Sequence, residues 1–317
     1  METLQTTSLK KIKKNKKMYH LLLAGGTGFI GFHLCKMFIK KGWKVSSISV
    51  TKPKKKRFVK GVKYIFLDIT KKKNLEKKLK DDYSHIINAS GITTNLYSKS
   101  FKKKIYSSHF DGTKNLIDVF KNKKFENFIQ IGSSAEYGNA KSPLKENTFC
   151  TPSSVYGIAK LKATKYILKI AKQNKLPINV IRLFQVYGPN QGDSRAIMQI
   201  LKFCIEKKNF PTSDGTQIRD FCYIDDVTKA INLIFEKKIS SQLLNIGYGT
   251  GISINKLISV IKKIAKGGNP QYGLFKLRNH ENPELVPSIS KVKKILKWRP
   301  KINLEKGIKM TKRSINE

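Results

Sequence analysis

A tyrosine and a lysine four residues apart, in Tyr156-Gly-Ile-Ala-Lys160, are the side chains of this sequence best suited to acid–base chemistry. On a helix that spacing stacks them one turn apart on one face. A free tyrosine has a pKa of roughly 10, and a lysine ammonium beside it favours the phenolate. A phenol tuned toward neutrality can give or take a proton while an alcohol becomes a ketone. In a lysine-rich chain the pair alone is a weak signal. It needs a hydride carrier close by.

Gly25-Gly-Thr-Gly28-Phe29-Ile30-Gly31 offers a place for one. It follows an apolar run, Tyr19–Ala24, read as a strand, and opens a helix expected over Ile30–Lys41 and stopped by Gly42. Gly25 and Gly28 allow a tight turn that approaches a diphosphate, and Gly31 allows the helix to lie close to the sheet. The helix N-terminus then receives the phosphate charge. An acidic residue at the end of the second strand would hold a ribose hydroxyl. That place falls at Ser49, followed by Thr51, Lys52, Lys54, Lys55, Lys56 and Arg57. A hydroxyl and cations suit a 2′-phosphate, so NADP is favoured over NAD. Asp68 and Ile69, after the third strand, and Ala89, at the end of the fourth, are further candidates for the cofactor cleft.

The elements that must position these groups follow an alternating pattern. Strands are expected at Val45–Val50, Tyr64–Leu67, His85–Ala89, Phe128–Ile131 and Asn179–Leu183, with helical patterns between them. Such alternation implies an α/β fold, a Rossmann-type doubly wound parallel sheet. Beyond Val186 the pattern becomes irregular, with short helices such as Ile254–Ala265. Residues 18–185 are therefore expected to form the dinucleotide-binding domain. Residues 186–317 are expected to be mainly a smaller α/β substrate-binding cap, with some segments returning to the first domain. Residues 1–17, polar and lysine-rich, read as a flexible tail.

Composition bounds the function. The chain has 317 residues, 39% of them apolar, enough for a substantial core. No apolar run reaches the roughly 18 residues of a membrane span. Cys35, Cys150, Cys204 and Cys222 are dispersed and form no metal-ligand or redox spacing, so we expect reduced thiols, no metal and a cytoplasmic location. The formal charge of +43 invites a nucleic-acid reading. Only seven of the 64 basic residues are arginine, and the lysines run through the whole length. Phosphate and groove readers lean on the arginine fork, so no specific nucleic-acid partner is expected.

Several ordered motifs resemble one family, the extended short-chain dehydrogenases/reductases, and within it the NAD-dependent epimerase/dehydratase group acting on nucleotide sugars. They are the Gly25–Gly31 loop, Asn88-Ala-Ser-Gly91, Ser133-Ser-Ala-Glu-Tyr-Gly138, Tyr156-x-x-x-Lys160, Arg182-Leu-Phe-Gln-Val-Tyr-Gly-Pro189 and Arg219-Asp-Phe-Cys-Tyr-Ile-Asp-Asp226. Asn245-Ile-Gly247 and Trp298-Arg-Pro300 follow late in the chain. The resemblance implies that Tyr156 is the proton donor or acceptor. Lys160 would bind the nicotinamide ribose, and Ser133 would hydrogen-bond the sugar oxygen at the reacting carbon. It also implies nucleotide-sugar contacts from Ser134, Gln185, Arg219 and Arg278, the two arginines gripping the diphosphate, and a homodimer through helices that include 156–171. The sequence departs from the family pattern at His109 and Gln185, where asparagine is usual.

Dehydratases of the group carry an acid two residues before the tyrosine of the Ser/Thr-x-x-x-Tyr-Gly motif. Ala135 stands there, and Glu136 would point to the other face of an extended segment. The expected activity is therefore hydride exchange at a sugar carbon, C4, of a nucleotide-diphosphate sugar. An NADPH-dependent 4-keto-6-deoxy-sugar reductase is favoured, with a 4-epimerase as the alternative. A 4,6-dehydratase and a non-catalytic dinucleotide sensor rank below them.

Overall fold

The computed structural model describes residues 18–93, 98–275 and 282–315. In chain order its first half contains β1 (His20–Ala24), α1 (Phe29–Lys40), β2 (Lys44–Ser49), β3 (Val62–Phe66), α2 (Lys72–Lys78), β4 (His85–Asn88), α3 (Lys99–Phe120), β5 (Asn127–Ser133), α4 (Val155–Gln173) and β6 (Ile178–Leu183). The six expected strands and the expected first helix are all present, with ends moved by one or two residues. The expected tail, residues 1–17, lies outside the described residues.

The second half contains β7 (Gln185–Tyr187), α5 (Ala196–Ile205), β8 (Asn209–Pro211), β9 (Ile218–Tyr223), α6 (Ile224–Glu236), β10 (Leu243–Ile246), β11 (Gly251–Ser253), α7 (Ile254–Ala265), β12 (Asn269–Gln271), β13 (Glu284–Leu285), α8 (Ser290–Leu296) and α9 (Leu304–Arg313). The main sheet has seven strands in the order β10-β6-β5-β4-β1-β2-β3, every pair parallel. Its winding reverses between β1 and β4, so a crevice opens at their C-terminal ends. The edge strand β10 comes from far down the chain. Its four residues are too few and too ordinary to announce a parallel strand, and pairing with β6 is what makes it one.

The strands at the centre of the sheet are buried end to end, as parallel sheets covered on both faces require. One face packs Leu21, Leu23, Ile129 and Ile181 with α1, α6 and α8. The other packs Leu22, Ile86, Phe128 and Val180 with α2, α3 and α4. A separate apolar cluster joins Tyr187, Leu201, Phe210, Tyr223, Leu257 and Ile308 beyond the strand ends. There β9 pairs with β11, β13 and β7 in a second small sheet. Asp226 ties the C-terminal segment to this part by accepting the backbone N–H groups of Lys301 and Ile302 at 2.9 and 2.8 Å. Among the described residues no helix is long and apolar enough to cross a membrane.

Candidate active site

The glycine loop closes against the sheet as its spacing predicts. Gly25 has φ +85°, a conformation side chains avoid, and its N–H donates to the Ile48 carbonyl at 2.8 Å. A Cβ on Gly31 would stand 2.2 Å from the Gly25 carbonyl oxygen. Gly28 caps α1 without a side-chain hydrogen bond to the first helical N–H groups, and no acid occupies the first turn. Those N–H groups and the positive end of the helix suit a diphosphate. Phe29 and Ile30 begin the helix and pack half-buried against the cluster around Tyr187. Ala89 lies across the loop, its N–H donating to the Ala24 carbonyl at 2.9 Å. These residues fit a dinucleotide cradle.

The far end of the cradle differs from the expectation in detail. Ser49 accepts a long hydrogen bond from the Thr27 N–H, 3.4 Å. Arg57 does not stand ready for a 2′-phosphate: its Nε and Nη2 donate to the Asn190 carbonyl at 2.9 and 2.7 Å. His33 of α1 contacts the neighbouring Pro189 carbonyl through Nε2, 2.9 Å. Two side chains of the first half thus hold consecutive carbonyls of the loop after β7, a connection sequence spacing cannot show. Asp68 caps its own turn by accepting the Thr70 N–H at 2.8 Å, and Ile69 is buried against Gly112.

Ser133, Tyr156 and Lys160 are brought together by β5 and α4. Ser133 ends β5 and starts a short 3₁₀ turn, Ser134–Tyr137. Ser154 caps α4, accepting the Gly157 N–H at 3.0 Å. Gly157 lets the helix start press onto that turn, since a Cβ there would lie 2.5 Å from the Ala135 carbonyl oxygen. The close approach sets the Ser133 side chain near enough to Tyr156 to oppose the rise of its pKa. Lys160 is buried at 4% exposure, with Nζ donating to the Ile131 carbonyl at 2.8 Å.

The electrostatics correct one expectation. Tyr156 is pushed up rather than down, with burial the main cause, Ser133 opposing it, Glu136 adding to it and Arg195 opposing it. Lys160 Nζ is 6.0 Å from the Tyr156 ring centre and turned to the Ile131 carbonyl, so four-residue spacing alone does not make the lysine the tuning charge. Lys160 itself is lowered to about 8 by burial, with Glu136 working the other way. It is therefore still largely an ammonium at neutral pH.

That depression sets the sign of a stability effect. The unfolded lysine holds its proton up to about 10.4, so between about 8 and that value the unfolded chain binds more protons. The burial cost, on the order of 3 kcal/mol below pH 8, is relieved as pH rises through this window. Lys160→Met is expected to unfold at higher temperature than the wild type at pH 7, even after losing a hydrogen bond worth about 1 kcal/mol. The difference should narrow towards pH 10. Thermal melts across that range check it, and a destabilised variant at pH 7 would contradict it.

His109, in place of the usual asparagine, stands edge-on to Tyr156 with ring centres 4.9 Å apart. Its Nε2 bonds the Ile92 carbonyl at 2.9 Å, which assigns the proton to that nitrogen. Burial, followed by the Lys160 charge, lowers its pKa to about 3. It is a neutral neighbour of the phenol and carries no exchangeable charge near pH 7.

Ser134 is buried at the start of the 3₁₀ turn, and Gln185 is exposed on β7 opposite Phe221 of β9. Arg219 lies on β9 between Ile252 and Leu285, its Nη1 donating to the Ile218 and Pro283 carbonyls at 2.9 and 3.1 Å. The next residue, Asp220, accepts the Tyr248 and Gly249 N–H groups at 2.8 and 2.6 Å, and burial raises it to about 6. Arg278 lies outside the described residues. Arg195 caps α5 and reaches across to the Thr93 carbonyl at 3.2 Å, in range to influence Tyr156.

Comparison with known proteins decides the family: residues 21–247 match the NAD-dependent epimerase/dehydratase family. The chain belongs to it. Members are enzymes, and the resemblance drawn from the motifs holds. A UDP-glucuronate 4-epimerase of Thermodesulfobacterium geofontis is 29% identical, covering 93% of this chain and 95% of the relative. The solved UDP-glucose 4-epimerase of Thermotoga maritima, with UDP-glucose, superposes with a TM-score of 0.88 at 25% identity, covering 94% of this chain and 98% of that one. A Bacillus cereus UDP-glucuronic acid 4-epimerase solved with a fluorinated UDP-glucuronic acid and NAD gives 0.86 at 27% identity, covering 94% and 99%.

Proposed function

We propose that this member of the epimerase/dehydratase family is an NAD-dependent 4-epimerase of a UDP-activated hexose. The observation that carries the reading is the 3₁₀ turn after β5. It presents Ser133 to Tyr156, while its only carboxylate, Glu136, is fully buried on Arg182. An elimination beside the new ketone needs an acid in the cleft, and Ala135 stands where the dehydratases of the group place one. Alcohol–ketone exchange needs only the phenol, the hydroxyl and the lysine.

The reductase favoured on sequence grounds loses its lead. It rested on Ser49 and the cations after β2 and on the likeness of Gly132–Gly138 to the reductases, and of those cations Arg57 is committed to the Asn190 carbonyl. The 4-epimerase names of the relatives support the alternative. Bound NAD supplies the hydride acceptor and donor. As the phenolate, Tyr156 would take the C4 hydroxyl proton on its phenolic oxygen, and as the phenol so formed it would return that proton once the sugar has presented its other face. Ser133 Oγ accepts the Ala135 N–H at 3.2 Å, leaving its own O–H to donate to the sugar oxygen. The Lys160 ammonium would bind the ribose. Arg219 is suited to the diphosphate through charge-assisted bonds.

The protein as purified, with no cofactor added, is expected to interconvert the C4 epimers of UDP-glucose or UDP-glucuronate, read by proton NMR, and to release NAD on denaturation. Turnover only of a 4-keto-6-deoxy sugar with consumption of NADPH would replace this reading by the reductase. One feature favours that second reading: Ser49, and not an acid, ends β2.

The homodimer also stands as a proposal. The outer face of α3 and α4 carries Tyr106, Phe110 and Tyr166 with ring centres 5.6 and 6.0 Å apart, beside the exposed Lys103, Lys162 and Lys169. Like charges facing across a two-fold axis are screened by salt. Sedimentation should therefore show a dimer that tightens as ionic strength rises; a monomer at all salt concentrations would refute it.

A further inference from the structure

Beneath the candidate catalytic set lies a buried ion pair that the reaction does not consume. Glu136 is fully buried and Arg182 is 3% exposed. Glu136 Oε1 accepts the Ser133 backbone N–H at 2.8 Å, and Oε2 accepts Arg182 Nε at 2.9 Å. The guanidinium lies over the Tyr137 ring, 4.5 Å from its centre, and Nη1 donates to the Glu146 carbonyl at 3.3 Å. A Cβ on Gly132 would stand 2.6 Å from Glu136 Oε1, so the carboxylate is seated against bare backbone.

A buried ion pair is costly unless its geometry and remaining hydrogen bonds are good. It is weak as a stability device, which raises the question of what else it does. Arg182 sits on β6 and Glu136 at the end of β5, so the pair fixes the 3₁₀ turn to the neighbouring strand. Ser133 is thereby held from two sides: its N–H by Glu136, its Oγ by the Ala135 N–H.

We infer that Glu136 is a positioning residue for the Ser133, Tyr156 and Lys160 set, anchored by Arg182, holding the serine backbone in place and turning its buried carboxylate toward that set. The charged and titratable groups facing Glu136 are Arg182 on β6, Tyr156 and Lys160 on α4, Tyr137 on its own turn and Cys150 on the following loop. Burial works against the Arg182 charge, but Glu136 and then Tyr137 hold its pKa above the ordinary value, so the guanidinium stays charged. Of these groups, Glu136 is the one that opposes the burial of Lys160. The kinetic part of this inference rests on the proposed epimerisation.

The test is Glu136→Gln, which keeps an oxygen for the Ser133 N–H and removes the charge. The alkaline limit of kcat/KM is expected to move down by about one pH unit, with kcat at the new optimum falling far less than in a Tyr156 variant. Lys160 can be followed without turnover in protein carrying [ε-¹³C]lysine. The resonance absent from Lys160→Met should titrate near pH 8 in the wild type and lower in Glu136→Gln. A wild type inactive on every UDP-sugar would remove the epimerase reading while leaving this titration to decide the inference. Because Glu136→Gln leaves Arg182 buried without its partner, Glu136→Gln with Arg182→Met serves where the single variant does not fold. An unchanged Lys160 titration in a folded variant overturns the inference. So does failure of both variants to fold, which would assign the pair to stability alone.

Discussion

Tyr156→Phe is expected to lower kcat by about 10³-fold, within the range general acid–base groups contribute, while bound nucleotide copurifies as in the wild type. The ring should stay where it is, since its edge contact with His109 and its place at the start of α4 do not use the hydroxyl. What disappears is, among the described residues, the group placed to exchange a proton with an oxygen held by Ser133. His109 cannot substitute, because burial keeps it neutral down to about pH 3. Lys160 cannot easily do so either, with its Nζ turned to the Ile131 carbonyl. Initial rates of C4 inversion and chromatography of the released nucleotide check both halves. A variant retaining more than a tenth of wild-type kcat would sink the assignment of Tyr156.

Gly31→Ala should show the opposite pattern: loss of the cofactor first, with catalysis failing as a consequence. The added methyl would stand 2.2 Å from the Gly25 carbonyl oxygen and 2.6 Å from the Gly26 Cα. Both are backbone atoms of the turn that would cradle the diphosphate, so relief comes only by moving the cradle. Overpacking costs about 1–3 kcal/mol, which corresponds to roughly 10–100-fold weaker binding if the turn bears it. The purified variant is expected to carry little nucleotide and to regain activity only with added NAD. Wild-type nucleotide content would show that the loop does not hold the diphosphate.

Much of this was legible in the residues. The strand–glycine–helix context of residues 20–40 and the alternation of apolar strands report local geometry and burial, and both recur in the fold. Other features were legible but easily passed over. Ser133-x-x-Glu136 has the spacing of a capping box, and the structure forms one. Read that way, Glu136 becomes the acid that holds the serine backbone and not merely one pointing away from the cleft.

The residues themselves determined the doubly wound sheet, the dinucleotide turn and the Tyr156–Lys160 spacing, because each depends on contacts within a few residues or on a repeating pattern of burial. Only the tertiary structure decided what those groups experience. It placed Lys160 on the Ile131 carbonyl, Arg57 on the Asn190 carbonyl, His109 beside Tyr156 and Glu136 between Ser133 and Arg182. Burial and distant partners set the charge a side chain can carry, and these arise from segments up to 133 residues apart in the chain. Spacing therefore named the tyrosine and lysine as a pair, while the packed core determined that the tyrosine's pKa rises and the lysine's falls.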